Sequence, residues 1–339
     1  IVHSMKKHEE KNYMECAAKV SQDIARFMDE ADLNEAFLFG GSVLDPLTRE
    51  NAKISDYDIC VKDKEIFYAT LKNLEGKNYN LSEVMRTHNI YVVIRHAELG
   101  QIDFSCMNPE DNGIFNVEKI YAKFKRQDGA ITNTVVDKYG AIESIKRGEI
   151  RLACNPEDEG AYNLLRRFLA IVGKYGLDIS PNGINQETIN QIKEEFAIGR
   201  HYIPQDKVRC LSRLPASLRR TQDRQRFVTD LGQQHIFEKA FPEIDRLFND
   251  KIFQQNEKLK TCETQKGLLL LMVSHTTKTE ERDALIDCLR ILSRREAARQ
   301  DKGVKTFVEE LENEKTSINR LNKKILLPLF KFKQSEDIK

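Results

Sequence analysis

At 339 residues the chain can bury a sizeable core in more than one domain without disulfide or metal staples. Its 54 Lys and Arg are matched by 53 Asp and Glu, so total charge marks neither a nucleic-acid binder nor a membrane-surface protein. Seven scattered cysteines, an odd number with no Cys-x-x-Cys pair, argue against a disulfide framework and a zinc knuckle.

Near Glu9–Leu33, the helical spacing of Met14, Ala17, Ala18, Ile24, Phe27 and Met28 predicts an amphipathic helix. Ala36–Phe39 reads as a short buried strand ended by Gly40 and Gly41. Asp56–Val61, "DYDICV", reads as a second strand, with Asp56 and Asp58 on one face and Tyr57 and Ile59 on the other. A helix is expected over Lys64–Leu74. Asn89–Met107 then reads as a hairpin turning near Glu98–Gly100, whose second strand carries Asp103. Asn112–Phe124 is expected as a helix, followed by a short hairpin and a further helix within Asp128–Leu152. Beyond Glu157 the pattern is helical, with joints near Ser180–Gly183 and Pro204.

No apolar run reaches the roughly 20 residues of a membrane helix. Gly267–Val273, the longest, is expected to be a core helix segment. Ile1–Ser4 lack the apolar centre of a signal peptide, and the expectation is a soluble, cytoplasmic protein without membrane contact.

Glycines after a strand let backbone amides approach a phosphate, with Ser42 as an added donor, yet a plain strand-to-helix turn explains "GGS" as well. The two aspartates are more telling. Like charges side by side cost stability unless something neutralises them, and a hard cation such as Mg²⁺ or Mn²⁺ does so. Mg²⁺ typically takes one or two carboxylates plus substrate phosphates. With Asp103 as a third acid, a two-metal arrangement becomes possible, one ion activating a hydroxyl and the other holding a leaving pyrophosphate.

The order "GGSVLDPL", "DYDICV", "QIDFS" resembles the head of the polymerase β nucleotidyltransferase superfamily, most closely class II CCA-adding enzymes and bacterial poly(A) polymerases. The likeness extends through Asp128–Ala153 to Glu157–Ile179. The resemblance implies that Gly40, Gly41, Ser42 and Asp45 hold an NTP, ATP foremost. It also implies that Asp56, Asp58 and Asp103 are catalytic and bind the metals. The family's arginine before the motif aspartate is Leu44 here, and the spacer to Asp56 is about two residues longer. Glu157–Asp158 match an acidic pair that precedes base-reading arginines, but the following positions are Gly160, Ala161 and Leu164, leaving Arg167 as the surviving nucleotide contact. Of another family block, only Asn116 is kept.

By count, residues 1–200 carry about six excess acids and residues 201–339 about seven excess bases. Lys207, Arg209, Arg213, Arg219, Arg220, Arg224 and Arg226 therefore form a candidate track for an RNA backbone. The five histidines weighed as ligands, His88, His96, His201, His235 and His275, lack metal spacing.

The expected fold is α+β: an N-terminal helix over 1–34, a nucleotidyltransferase head with a mixed sheet over 35–150, a helical neck over 151–230 and a helical body over 231–339. The expected activity is Mg-dependent NMP transfer from an NTP to an RNA 3′ end. A protein hydroxyl is the alternative acceptor, and a head that binds without catalysing is a third reading.

Overall fold

The computed structural model describes residues 2–49, 52–75, 77, 79–86, 90–199, 204–276 and 280–289; the basic, apolar segment 320–333 lies outside them. The chain divides into two compact units, Ile1–Ala153 and Cys154–Lys339. The first is α+β, and the described residues of the second form an α-helical unit.

The first unit carries seven strands: β1 (Glu35–Phe39), β2 (Asp56–Val61), β3 (Tyr79–Arg86), β4 (Ile90–His96), β5 (Gly100–Cys106), β6 (Tyr121–Gln127) and β7 (Ala130–Val136). They form one mixed sheet in the order β3-β4-β5-β2-β1-β6-β7. β2 and β5 run parallel, and the other neighbouring strands pair antiparallel.

Alternation along these strands gives the sheet two unlike faces. One face presents Ala36, Leu38, Tyr57, Ile59, Val61, Ile102, Phe104, Val92 and Ile94, all buried. It packs on α1 (Val2–Ala31) and α3 (Lys64–Leu74). Phe104 stacks on Phe67 of α3 with ring centroids 4.9 Å apart and meets Phe27 of α1 edge-on at 5.9 Å. Tyr57 on the same face donates its hydroxyl hydrogen bond to Asp23 of α1 at 2.5 Å. Each buried aromatic of this kind contributes about 2–3 kcal/mol of transfer free energy, so the faces cannot exchange by a one-residue slip of register. The side chains of Asp56, Asp58 and Asp103 therefore project from the opposite face.

Local signals fix the ends of the elements. Asp63 caps α3 by accepting hydrogen bonds from the amides of Glu65 and Ile66 at 2.7 and 2.9 Å, a contribution of about 1 kcal/mol. The β6–β7 hairpin turns on Asp128 and Gly129, both with positive φ, as a tight primed turn requires.

Two expectations fail here. Asn112–Phe124 is a 3-10 turn, Asn116–Glu118, followed by strand β6. The Glu118 carboxylate accepts from the amides of Ile114 and Phe115 and closes the turn, while Ala122 and Phe124 point inward between Lys123 and Lys125, a two-residue period. Strand β3, absent from the sequence reading, extends the sheet beyond β4.

In the second unit, α5 (Ala161–Tyr175), α6 (Gln186–Ile198), α7 (Pro204–Arg220) and α8 (Arg224–Gln233) precede α9 (Pro242–Asn249), α10 (Lys251–Gln254), α11 (Glu257–Thr261) and α12 (Gln265–His275), with 280–289 also helical. Leu164, Leu165, Phe168, Leu169, Ile171 and Val172 form the buried stripe of α5, and Gly176 with φ 65° stops it. Phe248 centres an aromatic core, edge-on to Phe237 at 5.4 Å and stacked on Phe253 at 6.0 Å. The apolar segment of α12 buries Leu268, Leu269, Leu271 and Met272. Among the described residues no helix is long and apolar enough to cross a membrane.

Candidate active site

β1, β2 and β5 bring the acids together with the glycine turn. In the parallel pair, Asp58 is the register partner of Asp103 and Asp56 that of Gln101. Register partners share a face, so Asp58 and Asp103 sit side by side about one strand spacing, 4.8 Å, apart at the backbone. Asp56 lies one pleat further along the same face. Across the other edge of β2, Phe39 of β1 is opposite Asp58, which brings the following Gly40 beside that carboxylate.

Gly40 has φ 70°, in the region that disfavours side chains. A Cβ built there would stand 2.7 Å from Asp58 Oδ2. The glycine is therefore needed both for its conformation and for the room it leaves at the acid. Gly41 opens α2 (Gly41–Thr48), whose first amides have no acceptor within the helix.

The rest of the expected nucleotide-binding set divides differently. The Ser42 hydroxyl is buried and donates to the Phe39 carbonyl at 2.9 Å, tying the turn to the end of β1. Asp45 and Leu44 are likewise buried within α2. Leu44, where the resemblance calls for arginine, is a core residue. Arg167 belongs to α5 in the second unit. Asn116 is a buried bracket: its amide donates to Ser144 Oγ at 2.7 Å and its oxygen accepts from the Arg151 amide at 2.9 Å.

Two acids have partners that the sequence reading missed. Gln101 Nε2 donates to Asp103 Oδ1 at 2.8 Å, and Ser55 Oγ donates to Asp56 Oδ1. Gln101 was detectable in principle, since it stands two residues before Asp103 and so on the same face. Next to the acids the same face has a small apolar floor of Phe37, Phe39 and Cys60, with Met107 and Tyr121 packed against it. Lys62 and Lys123 lie against the Phe37 ring, 4.9 and 5.6 Å from its centroid. Burial pushes the Cys60 thiol up to about 12, which keeps it neutral.

Among the described residues no group of three or more His, Cys, Asp or Glu side chains is disposed to hold a metal ion. Asp56 and Asp58 are separated by a full two-residue repeat of about 6.6 Å along the strand, and Gln101 engages one oxygen of Asp103. What is present is a pair of neighbouring hard-oxygen donors with a third acid alongside. That set fits Mg²⁺, which takes one or two carboxylates and completes its shell with water and substrate phosphate.

His88 and His201 lie outside the described residues, and three other histidines have structural partners. His96 Nδ1 accepts from the amides of Glu98 and Leu99 in the β4–β5 turn. His235 pairs with Asp245 at 2.8 Å, and His275 meets Asn256 at 3.2 Å.

This architecture is similar in fold to that of solved CCA-adding enzymes. No family model and no curated protein matches the chain. Among solved structures, the Thermotoga maritima CCA-adding enzyme complexed with tRNA-CCA aligns with 79% of this chain and 68% of its own, at 15% identity and a TM-score of 0.50. A CCA-adding enzyme with CTP aligns over 82% and 80% of the two chains at 15% identity and a TM-score of 0.47. Another, with ATP, aligns over 78% and 77% at 16% and 0.42.

Proposed function

We propose that this protein is a divalent-metal-dependent nucleotidyltransferase, passing NMP from an NTP, ATP foremost, to the 3′ hydroxyl of an RNA. The observation that carries the reading is the in-register pair Asp58 and Asp103, with Gly40 turned so that its missing side chain makes room for Asp58 Oδ2. A sheet that served only as scaffold would gain nothing from two carboxylates side by side, which repel one another.

In this reading Asp56 and Asp58 supply the metal-binding oxygens, with Asp103 beside them. Bound Mg²⁺ would favour ionisation of the acceptor hydroxyl and neutralise the departing pyrophosphate. Gln101 donates to one Asp103 oxygen, which restrains the rotation of that carboxylate. The Gly40–Gly41 turn offers close backbone approach and amide donors for the triphosphate. The resemblance, the shared fold and the basic excess beyond residue 200 support an RNA acceptor.

The test is incubation with each α-³²P-labelled NTP and Mg²⁺, with total tRNA or lysate protein, comparing the native chain with Asp58→Ala. Label on RNA that disappears in the variant supports the proposal. Label on protein replaces RNA with a protein hydroxyl as acceptor. Absence of both label and NTP binding overturns the enzymatic reading.

A further inference from the structure

The sheet of the first unit ends in two edges that are built differently. At one, the register of β3 on β4 shifts between Ser82 and Val84, an irregularity of the kind that turns an edge away from other chains. At the other, β7 runs unbroken along β6 from Ala130 to Val136. Its sequence, "AITNTVV", holds no charge and no proline and consists mostly of β-branched residues. Ala130, Thr132, Asn133, Thr134 and Val135 are exposed, Val135 at 41%. Such a strand offers its outer row of amides and carbonyls to one more strand.

The alternation of β7 shows which strand fits. Two copies related by a two-fold axis pair antiparallel, and the outward-facing backbone groups of one must meet those of the other. Only registers in which one residue faces its own copy satisfy both conditions, and those with the fullest overlap are centred on Thr132, Asn133 or Thr134. Centring on Thr132 sets Ile131 opposite Asn133 and Asp128 opposite Val136. Centring on Thr134 sets Asn133 opposite Val135 and Ile131 opposite Asp137. Centring on Asn133 matches the residues in kind: Thr132 with Thr134, Ile131 with Val135, Ala130 with Val136 and, just beyond the strand ends, Asp128 with Lys138.

That charge match occurs twice, once at each end of the paired strands. Asp128 and Lys138 are both exposed, and among the described residues neither has an ion-pair partner. The apolar match also has a place to go. Val135 lines a small groove with Ala17 and Val20 of α1 and Leu47 of α2, and Ile131 of a second copy falls beside it.

We propose that β7 is a self-association edge, at which two copies of this chain join β7 to β7 about Asn133 and continue one sheet through both. The axis stands perpendicular to the sheet, so the two acid-bearing faces lie on the same side. Pairing of seven-residue strands buries on the order of 1,000 Å², near the lower limit for a specific interface, and the association is therefore reversible, with a dissociation constant on the order of micromolar. The proposal goes beyond the nucleotidyltransferase reading and does not depend on it.

The test is sedimentation velocity of the full chain from about 1 to 100 μM, with melting temperatures of all variants in parallel. The native chain should pass from monomer to dimer, and Val135→Lys should weaken the dimer at least about tenfold without lowering the melting temperature. Asp128→Lys should weaken it about fivefold, and Asp128→Lys/Lys138→Asp should restore it. Register is read by mild oxidation of Asn133→Cys, which should give a disulfide-linked dimer because directly opposite residues have Cβ atoms about 4.5–5.5 Å apart. Thr132→Cys, Thr134→Cys and the native chain should not cross-link. A chain that stays monomeric throughout overturns the proposal. So does a dimer that Val135→Lys leaves intact, since it must use another surface, and so does cross-linking at Thr132→Cys or Thr134→Cys that equals or exceeds that at Asn133→Cys. Open-ended multimers in place of a dimer would also overturn it.

Discussion

Gly40 and Asp58 are in contact through an absence: the space a side chain would fill on the glycine is occupied by Asp58 Oδ2, 2.7 Å from the would-be Cβ. Gly40→Ala therefore meets two obstacles, the φ of 70° and the carboxylate. We expect a stability loss of about 1–2 kcal/mol and transfer reduced at least about tenfold as Asp58 is displaced. Thermal unfolding and the labelled-NTP assay check the two effects separately. An alanine variant with native stability and activity would contradict the geometry.

Gln101 acts through Asp103. Replacing it by Leu frees the carboxylate to rotate, and transfer should fall roughly tenfold with little change in folding. The stronger test is a double-mutant cycle with Asp103→Asn. If Gln101 works by positioning Asp103, the two losses will not add.

On the covered side of the sheet, Glu30 accepts hydrogen bonds from Arg26 at 2.8 Å and from Tyr79 at 2.6 Å. These hold its carboxyl below the ordinary value of 4.5. A depressed acid stabilises the fold above its unfolded pKa, and the contribution disappears as pH falls through the folded value. Glu30→Gln should cost about 1 kcal/mol at pH 7 and progressively less below about pH 4.5, as read from denaturation midpoints across pH.

Cys60 is fully buried at the floor beside the acids, with its thiol raised to about 12. At pH 8 it should resist iodoacetamide in the native protein and react once the chain is unfolded. Peptide mass spectrometry will show this directly, with half-exposed Cys154 and Cys262 as internal comparisons.

Arg224 supports the second unit, and Arg224→Ala should lower its stability by about 1–3 kcal/mol because the carbonyls it serves lose their donor. Lysine should rescue little, since one ammonium does not reproduce the forked geometry. Melting curves of the two variants distinguish them.

The α+β fold was legible because its signals are local. Asp56 and Asp58 alternate with Tyr57 and Ile59 in a pattern that admits only a two-faced strand, and Asp63 announces the start of α3. A hairpin was expected within Asp128–Leu152, but its first strand, β6, lies before that range. Asn112–Phe124 misled because its strand half shows only one short alternation, Ala122 to Phe124, after a polar stretch that suits a helix. At the site, the acids and glycines were visible as residue types. Which oxygen faces which group was not. Ser42 looks like a phosphate donor in sequence, and only the path of β1 into α2 shows that the Phe39 carbonyl takes its hydroxyl.

The parallel pairing of β2 with β5 also dictates a schedule. Asp58 and Asp103 become neighbours only after α3, β3 and β4 have been made and laid in place, because parallel strands require a crossover between them. A nascent chain that has left the ribosome only as far as β4 holds the Asp-x-Asp but has no Asp103 with which to align it. The alignment of Asp58 with Asp103 thus waits for β5, the last strand of the two to be made.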